Sequence, residues 1–470
     1  MERGDADRLL GPAGTGARAP AGADRARQPD HRDSPVPYDE VAPGRFHIRV
    51  AAASTGGVFS DGYGLGIIGI ALGHAAAPLS LTPLWLGLLG GASLAGLFLG
   101  ALVTGPVADQ IGRRPVFAYN MAVLAALAVA QFFIRSTGEL LALRLMIGFM
   151  LGTDYVVSKA LLTEFAPRAV RGRILSLLSV AWAGGYACAY FIGFLLEGSA
   201  GEPWRTMLLT SAVPSLLVLP LRVTIPESPL WLANHGRDGE ALRVVRAALG
   251  SSVAPPLAAA RLPTPVRGGA SRWRQLASPA WRRRTLVACT FFACQVIPYF
   301  AVGTFVARVL AALDVRASNA GGLVYNVSLL VGAVAGLAVV DRMPRRRFLI
   351  GSFVTAAVAL LALVIGEDLP RLLVVALFAV FAGVISAASN LVYVYLPELF
   401  PTDLRASGIG LAVAASRIGS AASTFLLPVI VATFGVRTAL AACVAVLAFG
   451  AAVCFAWAPE TRHARLVGDT

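Results

Sequence analysis

Apolar residues run along this chain in blocks of about 20, the length a helix needs to cross the hydrocarbon core of a bilayer. Short polar turns rich in arginine separate them. The first block begins near Ala51, and five more read at about 84–104, 115–134, 140–163, 173–196 and 205–224. A polar stretch from Ile225 to Arg284 follows, and then six further blocks at about 285–311, 318–340, 348–366, 371–396, 406–430 and 435–457. The pattern predicts an all-α membrane protein with about 12 transmembrane helices in two sets of six.

Residues 1–50 carry no hydrophobic period, are rich in Ala, Gly, Arg, Asp and Pro, and read as a disordered N-terminal tail rather than a secretory signal. Residues 51–224 form a first six-helix bundle, 225–284 a central loop, 285–458 a second bundle and 459–470 a short basic tail. In the central loop, Asp238 to Leu249 alternates apolar and charged residues at helical spacing, as an amphipathic helix at the inner surface would. The proline-rich 251–270 reads as flexible linker.

The halves repeat. Asp109-x-x-Gly112-Arg113-Arg114 returns 232 residues on as Asp341-x-x-Pro344-Arg345-Arg346. Glu164-x-x-Pro167-x-x-x-Arg171 returns 234 residues on as Glu398-x-x-Pro401-x-x-x-Arg405, and Pro226-Glu227-Ser228 returns 233 on as Pro459-Glu460-Thr461. Three motifs at nearly one offset point to parallel six-helix repeats, one of the transporter architectures.

Composition agrees. The chain is 57% hydrophobic and only 14% charged, and soluble domains carry about 25% charged residues. Its net charge of +14 comes from arginines next to apolar blocks, which makes them topology anchors rather than a nucleic-acid surface. Arg113, Arg114, Arg168, Arg171, Arg173, Arg342, Arg345, Arg346, Arg347 and Arg405 fall in one set of turns. The other set holds only Arg135, Arg205, Arg316, Arg371 and Arg437. Both termini and the central loop are therefore expected in the cytoplasm, and the chain in the inner membrane. All five cysteines lie in apolar runs and read as packing residues, with no disulfide framework and no metal cluster. No phosphate-binding loop or paired catalytic group is evident, so no enzyme activity and no cofactor are expected.

Acids inside apolar blocks mark function. Asp61 and Asp154 are the two, and either suits a proton carrier or a neutral hydrogen-bonded strut between helices. Two cations lie deep as well. Arg417 is expected to hold an anion, supplied either by cargo or by Asp61 or Asp154. Lys159 is expected to snorkel toward the cytoplasm. With Tyr63, Tyr155, Gln295, Tyr299, Asn390 and Tyr393, Arg417 makes up the candidate substrate site, suited to an organic carboxylate. Arg144, in Arg144-x-x-x-Gly148-x-x-x-Gly152, has small residues beside it for close helix packing.

The repeated motifs resemble those of the major facilitator superfamily over residues 50–460, and Pro226-Glu-Ser-Pro229 and Pro397-Glu-Leu-Phe-Pro401-Thr402 resemble its sugar-porter-like, metabolite:proton symporter branch. The resemblance implies two pseudo-symmetric six-helix bundles and alternating access. It also implies a cytoplasmic gate of charge networks drawn from Asp109, Gly112, Arg113, Arg114, Glu164, Arg171, Glu227, Asp341, Arg345, Arg346, Glu398, Arg405 and Glu460. Asp109 is expected to pair with Arg171 or Arg173, and Asp341 with Arg405. Glu164 and Glu398 are expected to hold Arg113, Arg114, Arg345 or Arg346. Pro344, where a glycine is the rule, suggests a tighter turn or a weaker latch.

Gly152-Thr-Asp154-Tyr155 and Asp61-Gly-Tyr63 are similar to the signatures of proton-linked phosphate and metabolite carriers. Gly64 departs from that pattern, as does Gln295 where phosphate carriers have an acid, which argues against phosphate. The span-seven pattern of hexose porters is also absent from Cys294-Gln295-Val-Ile-Pro298-Tyr299. The function expected is secondary active transport of a small organic solute, an organic anion or similar metabolite, by proton-coupled symport. The alternatives are a proton-driven exporter of a natural product or drug, and a non-transporting membrane sensor. The expected partners are the solute, protons and the lipid bilayer, with the chain acting as a monomer.

Overall fold

The computed structural model describes residues 40–168, 170–199, 201–251, 253, 274–315, 318–340, 342–400 and 402–461. The predicted linker, most of both tails and Asp341 lie outside them. Among the described residues every regular element is helical, and eleven helices are long and apolar enough to cross a membrane. The first helix, α1 (Arg45–Ala75), completes the set of twelve spans. Asp61 and its serines and glycines dilute its hydropathy, and nearly all of it from Ala53 to Leu72 is buried. It begins six residues before the predicted Ala51, because Gly44 donates its backbone N–H to the His47 ring and starts the helix there.

The first half continues with α2 (Pro83–Ile111), α3 (Arg113–Ala130), α4 (Thr137–Phe165) and α5 (Arg171–Leu195), and its sixth span is made of α6 (Pro203–Thr210) and α7 (Ala212–Val223). Thr82 caps α2 and Ser136 caps α4. Two short helices follow, α8 (Pro229–Asn234) and α9 (Asp238–Leu249), the second on the predicted amphipathic segment. The second half holds α10 (Arg282–Thr304) with α11 (Val306–Ala312), α12 (Ser318–Val340), α13 (Arg345–Ile365), α14 (Arg371–Ala388) with α15 (Leu391–Glu398), α16 (Thr402–Phe434) and α17 (Val436–Trp457).

Within the first half α1 packs on α5, α2 on α4 and α3 on α7. Within the second, α10 packs on α16, α12 on α14 and α13 on α17. Glycines let these backbones touch. A Cβ on Gly148 would lie 2.1 Å from the Ser93 carbonyl oxygen, and one on Gly152 would lie 2.2 Å from that of Leu97.

The halves meet chiefly through α2 with α16 and α5 with α12. Their close contacts gather at the end away from the Asp109–Arg114 turn. A Cβ on Gly87 would sit 2.2 Å from the Phe425 carbonyl oxygen, and one on Gly69 would sit 2.4 Å from that of Thr304. Toward the charged turns, Gly105 on α2 and Gly410 on α16 have nothing within 4 Å of a Cβ. The closest backbone approaches between the halves thus lie at the end away from the charged turns.

Candidate functional site

A cavity of about 80 Å³ lies between the halves. Tyr155 reaches it from α4, Trp182 from α5, Phe292, Gln295 and Tyr299 from α10, Tyr393 from α15 and Arg417 from α16. Six of its fourteen lining residues are aromatic, and Trp182 and Phe300 stand edge-to-face at 6.4 Å between centroids. Five of the seven predicted binding residues, Tyr155, Gln295, Tyr299, Tyr393 and Arg417, line this space.

Two do not. Tyr63 turns into the first bundle and donates its hydroxyl to Thr210 at 2.8 Å. Asn390 lies beneath the wall, its amide nitrogen on the Ala333 carbonyl at 3.1 Å, and clasps α12 to the α14–α15 junction. Helix rotation decides both, and residue type alone does not reveal it.

The cations converge on one ring. Lys159 places its ammonium 3.4 Å from the centroid of Tyr155 and 4.7 Å from that of Tyr393. The Arg417 guanidinium lies 5.1 Å from the same Tyr155 centroid. Lys159 therefore turns into the seam between the halves and does not snorkel outward as predicted. The π faces of Tyr155 and Tyr393 hold it there. Arg417 is buried, its Nε has no hydrogen-bond partner, and no carboxylate pairs with it among the described residues. The expected alternative pairing of Arg417 with Asp61 or Asp154 is absent.

Asp154 has a different partner. Arg222, fully buried on α7, grips it through two nitrogens, Nη1 on Oδ1 and Nη2 on Oδ2, the latter at 2.9 Å. Ser158 donates to the same carboxylate at 3.0 Å, and Arg222 also donates to the carbonyls of Ala53 and Phe117, both at 3.3 Å. Gly57 makes room, since a Cβ there would lie 1.4 Å from Arg222 Nη2. Asp61 is buried beside Asp154 and has one oxygen without a partner. Sequence reasoning missed Arg222. Lying between Pro220 and Pro226 near the end of a span, it looks like one more loop-end anchor.

The charged turn is built as a capped helix start. Glu227 accepts the backbone N–H of both Arg113 and Arg114 at 3.0 Å, which sets a carboxylate on the N-terminus of α3. Gly112 has φ +100°, and a Cβ there would come within 2.4 Å of that carboxylate. Arg113 reaches Glu164 at 2.9 Å, as expected, and Asp109 at 3.3 Å. Asp109 thus pairs one turn along its own chain rather than with Arg171 or Arg173. Arg171 instead donates to the Ala166 carbonyl at 3.0 and 3.1 Å, which turns it back along its own loop.

The second half copies this cap. Glu460 accepts the N–H of Arg345 at 2.9 Å and of Arg346 at 3.1 Å. Arg345 approaches Glu398 at 3.8 Å, and Thr461 donates to the same Glu398. Arg405 donates to the Pro397 carbonyl at 3.1 Å. The predicted Asp341–Arg405 pair falls on a residue outside the described set. Pro344, at φ −56°, delivers the two amides as well as Gly112 does.

Residues 50–467 match the family model described as sugar (and other) transporter. The chain is 38% identical over 437 residues to the inner membrane metabolite transport protein YgcS of Escherichia coli K12, covering 92% of this chain and 96% of that one. It is 26% identical to the niacin transporter NiaP of Acinetobacter baylyi, over 81% of this chain and 86% of that one. The fold matches the partially occluded, inward open xylose transporter XylE from E. coli with a TM-score of 0.74, at 19% identity over 91% of this chain and 100% of that one. Twelve spans in two repeated halves, a cavity between them and a family match over nearly the whole length make this chain a multi-pass membrane transporter, not an enzyme, and a member of the sugar (and other) transporter family of the major facilitator superfamily.

Proposed function

We propose that the protein is a proton-coupled symporter that brings a small aromatic carboxylate into the cell. One observation carries the cargo class. Lys159 and Arg417 both lie over the Tyr155 ring beside an aromatic-rich cavity, and among the described residues no carboxylate pairs with either. Two uncompensated cations in a water-poor site repel one another and favour an anion, and the rings of Trp182, Phe292 and Tyr299 suit a flat apolar body. The niacin transporter among the relatives carries a cargo of that chemistry, and XylE is a proton:xylose symporter.

Asp61 and Asp154 are the proton site in this reading. The Asp154–Arg222 pair and the neighbouring Asp61 hold two acids against one base in a dry bundle, an arrangement that favours one proton at a time. Hydration in one access state would release it. The halves 51–224 and 285–458 rock about the cavity, driven by the proton gradient with no cofactor. The capped turns bearing Asp109, Arg113, Arg114, Arg345 and Arg346 exchange partners when the cytoplasmic end closes. Both termini lie in the cytoplasm, and the chain works as a monomer in the inner membrane.

The test is uptake of labelled nicotinate or benzoate into proteoliposomes under an imposed pH gradient. Gradient-driven accumulation by the wild type, lost in Asp61→Asn or Asp154→Asn, is expected. Accumulation that persists in both variants would overturn proton coupling through these residues, and no uptake of any carboxylate would overturn the cargo class.

A further inference from the structure

A cleft of about 400 Å³ lies between the start of α1, the end of α7 and α9, and it shares no lining residue with the cargo cavity. Pro226 in its wall precedes Glu227, the cap of the Asp109–Arg114 turn, which places the cleft at the charged-turn end of the first half. Arg49 on α1 and Arg243 on α9 line it, with Glu240 as the one acid of its wall. That acid is already occupied, since Arg237 donates to both of its oxygens at 2.8 Å. No carboxylate pairs with Arg49 or Arg243 among the described residues. Arg49 stands instead over the Phe46 ring, 5.4 Å from its centroid, on the rim of the same space. The cleft thus holds two guanidinium charges without a counter-charge. Apart from the Thr224 hydroxyl, the rest of its wall is apolar.

An apolar track leads there along the span. On α7 Val213, Leu216, Leu217, Pro220 and Val223 are exposed on successive turns, and the stripe ends at Thr224 in the cleft wall. On a spanning helix such a stripe is covered by acyl chains. Ile48, beside Arg49, is exposed as well.

We infer that this cleft binds the headgroup of an anionic phospholipid, with its phosphodiester between Arg49 and Arg243 and its chains along the exposed stripe of α7. The planar fork of a guanidinium matches phosphate oxygens, and basic pockets beside spanning helices hold anionic headgroups. A soluble phosphate ester could use the two arginines but would leave the stripe without a role. The site requires neither the proposed cargo nor the proposed proton coupling.

The full chain in detergent is heated with graded amounts of dioleoyl phosphatidylglycerol, of phosphatidylcholine with the same chains, or of glycerol 1-phosphate. Phosphatidylglycerol should raise the unfolding midpoint saturably, by about 2 °C or more, and phosphatidylcholine should not. Arg49→Gln and Arg243→Gln should each shift the response to about 5-fold higher lipid, the weight of one arginine at a lipid surface. Ala247→Trp, which fills the cleft and keeps both charges, should abolish the response. Arg246→Gln removes an exposed arginine of the same helix that does not line the cleft, and it should respond as the wild type does. All four positions are exposed, so these variants are expected to fold. The proposal is overturned if phosphatidylcholine acts as phosphatidylglycerol does, or if glycerol 1-phosphate reproduces the whole effect. It is overturned equally if Ala247→Trp responds as the wild type does, or if Arg246→Gln loses as much as Arg243→Gln.

Discussion

Asp154 and Tyr155 are consecutive on α4 and face different compartments. Asp154 points into the first bundle, onto Arg222, and Tyr155 points into the cavity between the halves, under Lys159 and Arg417. One turn on, the pattern repeats: Ser158 bonds Asp154 and Arg222 on the inner side while Lys159 serves the cavity. Two stripes on one helix, four residues apart within each stripe, tie the acid site to the cargo site through rigid backbone. A change in the Asp154–Arg222 pair that rotates α4 must move Tyr155 and Lys159 together.

Breaking that pair from one side should be far worse than removing it. Arg222→Leu leaves a buried carboxylate alone and Asp154→Asn leaves a buried guanidinium half-satisfied, each at a cost of about 3–5 kcal/mol. The double variant Asp154→Asn with Arg222→Leu should recover much of the loss. Thermal unfolding of the four proteins gives the cycle, and additive single effects would argue against direct coupling.

Cargo affinity should follow the paired cations. Arg417→Gln and Lys159→Gln are each expected to weaken carboxylate binding about 10-fold or more, the effect of about 1.4 kcal/mol. A neutral amide analogue of the same ring should bind the variants and the wild type alike. Isothermal titration with acid and amide distinguishes charge recognition from general damage to the cavity.

The close approach of the halves at Gly87 has no room for a side chain. A Cβ on Gly87 would meet the Phe425 carbonyl oxygen at 2.2 Å, and backbone cannot swing away as a long side chain can. Gly87→Leu should therefore force the halves apart there and abolish transport while the protein still folds. Accessibility of a cysteine placed at Ser423, measured with a membrane-impermeant thiol reagent, should rise from the end away from the charged turns.

At the charged turn, Gly112→Ala should be costly on two counts: a backbone near φ +100° and a Cβ within 2.4 Å of the Glu227 carboxylate. The expected loss is about 1–3 kcal/mol with slowed transport. Pro344→Gly should cost under 1 kcal/mol, mainly through a freer unfolded chain. Equal unfolding midpoints for the two variants would contradict this asymmetry.

Much of the architecture was legible because block length and arginine spacing follow from the thickness and polarity of the membrane. The repeat located both capped turns, and asking which polar residues sit at depth found five of the fourteen residues that line the cavity, Tyr155, Gln295, Tyr299, Tyr393 and Arg417. Arg222 was hidden because an arginine near a span end reads as an anchor, and only the fold shows its side chain running inward to Asp154 through the gap at Gly57. Lys159, Tyr63 and Asn390 were misdirected for a related reason. A residue's depth along a helix can be counted, whereas its bearing around the axis is set by packing against neighbours far away in sequence.

The two capped turns have a consequence for how the halves should be compared. Gly112 and Pro344 occupy opposite backbone regions, yet Glu227 and Glu460 each receive two amides at nearly the same lengths. The turn residue can therefore differ between the halves so long as the two accepted bonds stay in register. A search for the ancestral repeat keyed to residue letters would score this position as lost, and one keyed to donor–acceptor geometry would find it intact.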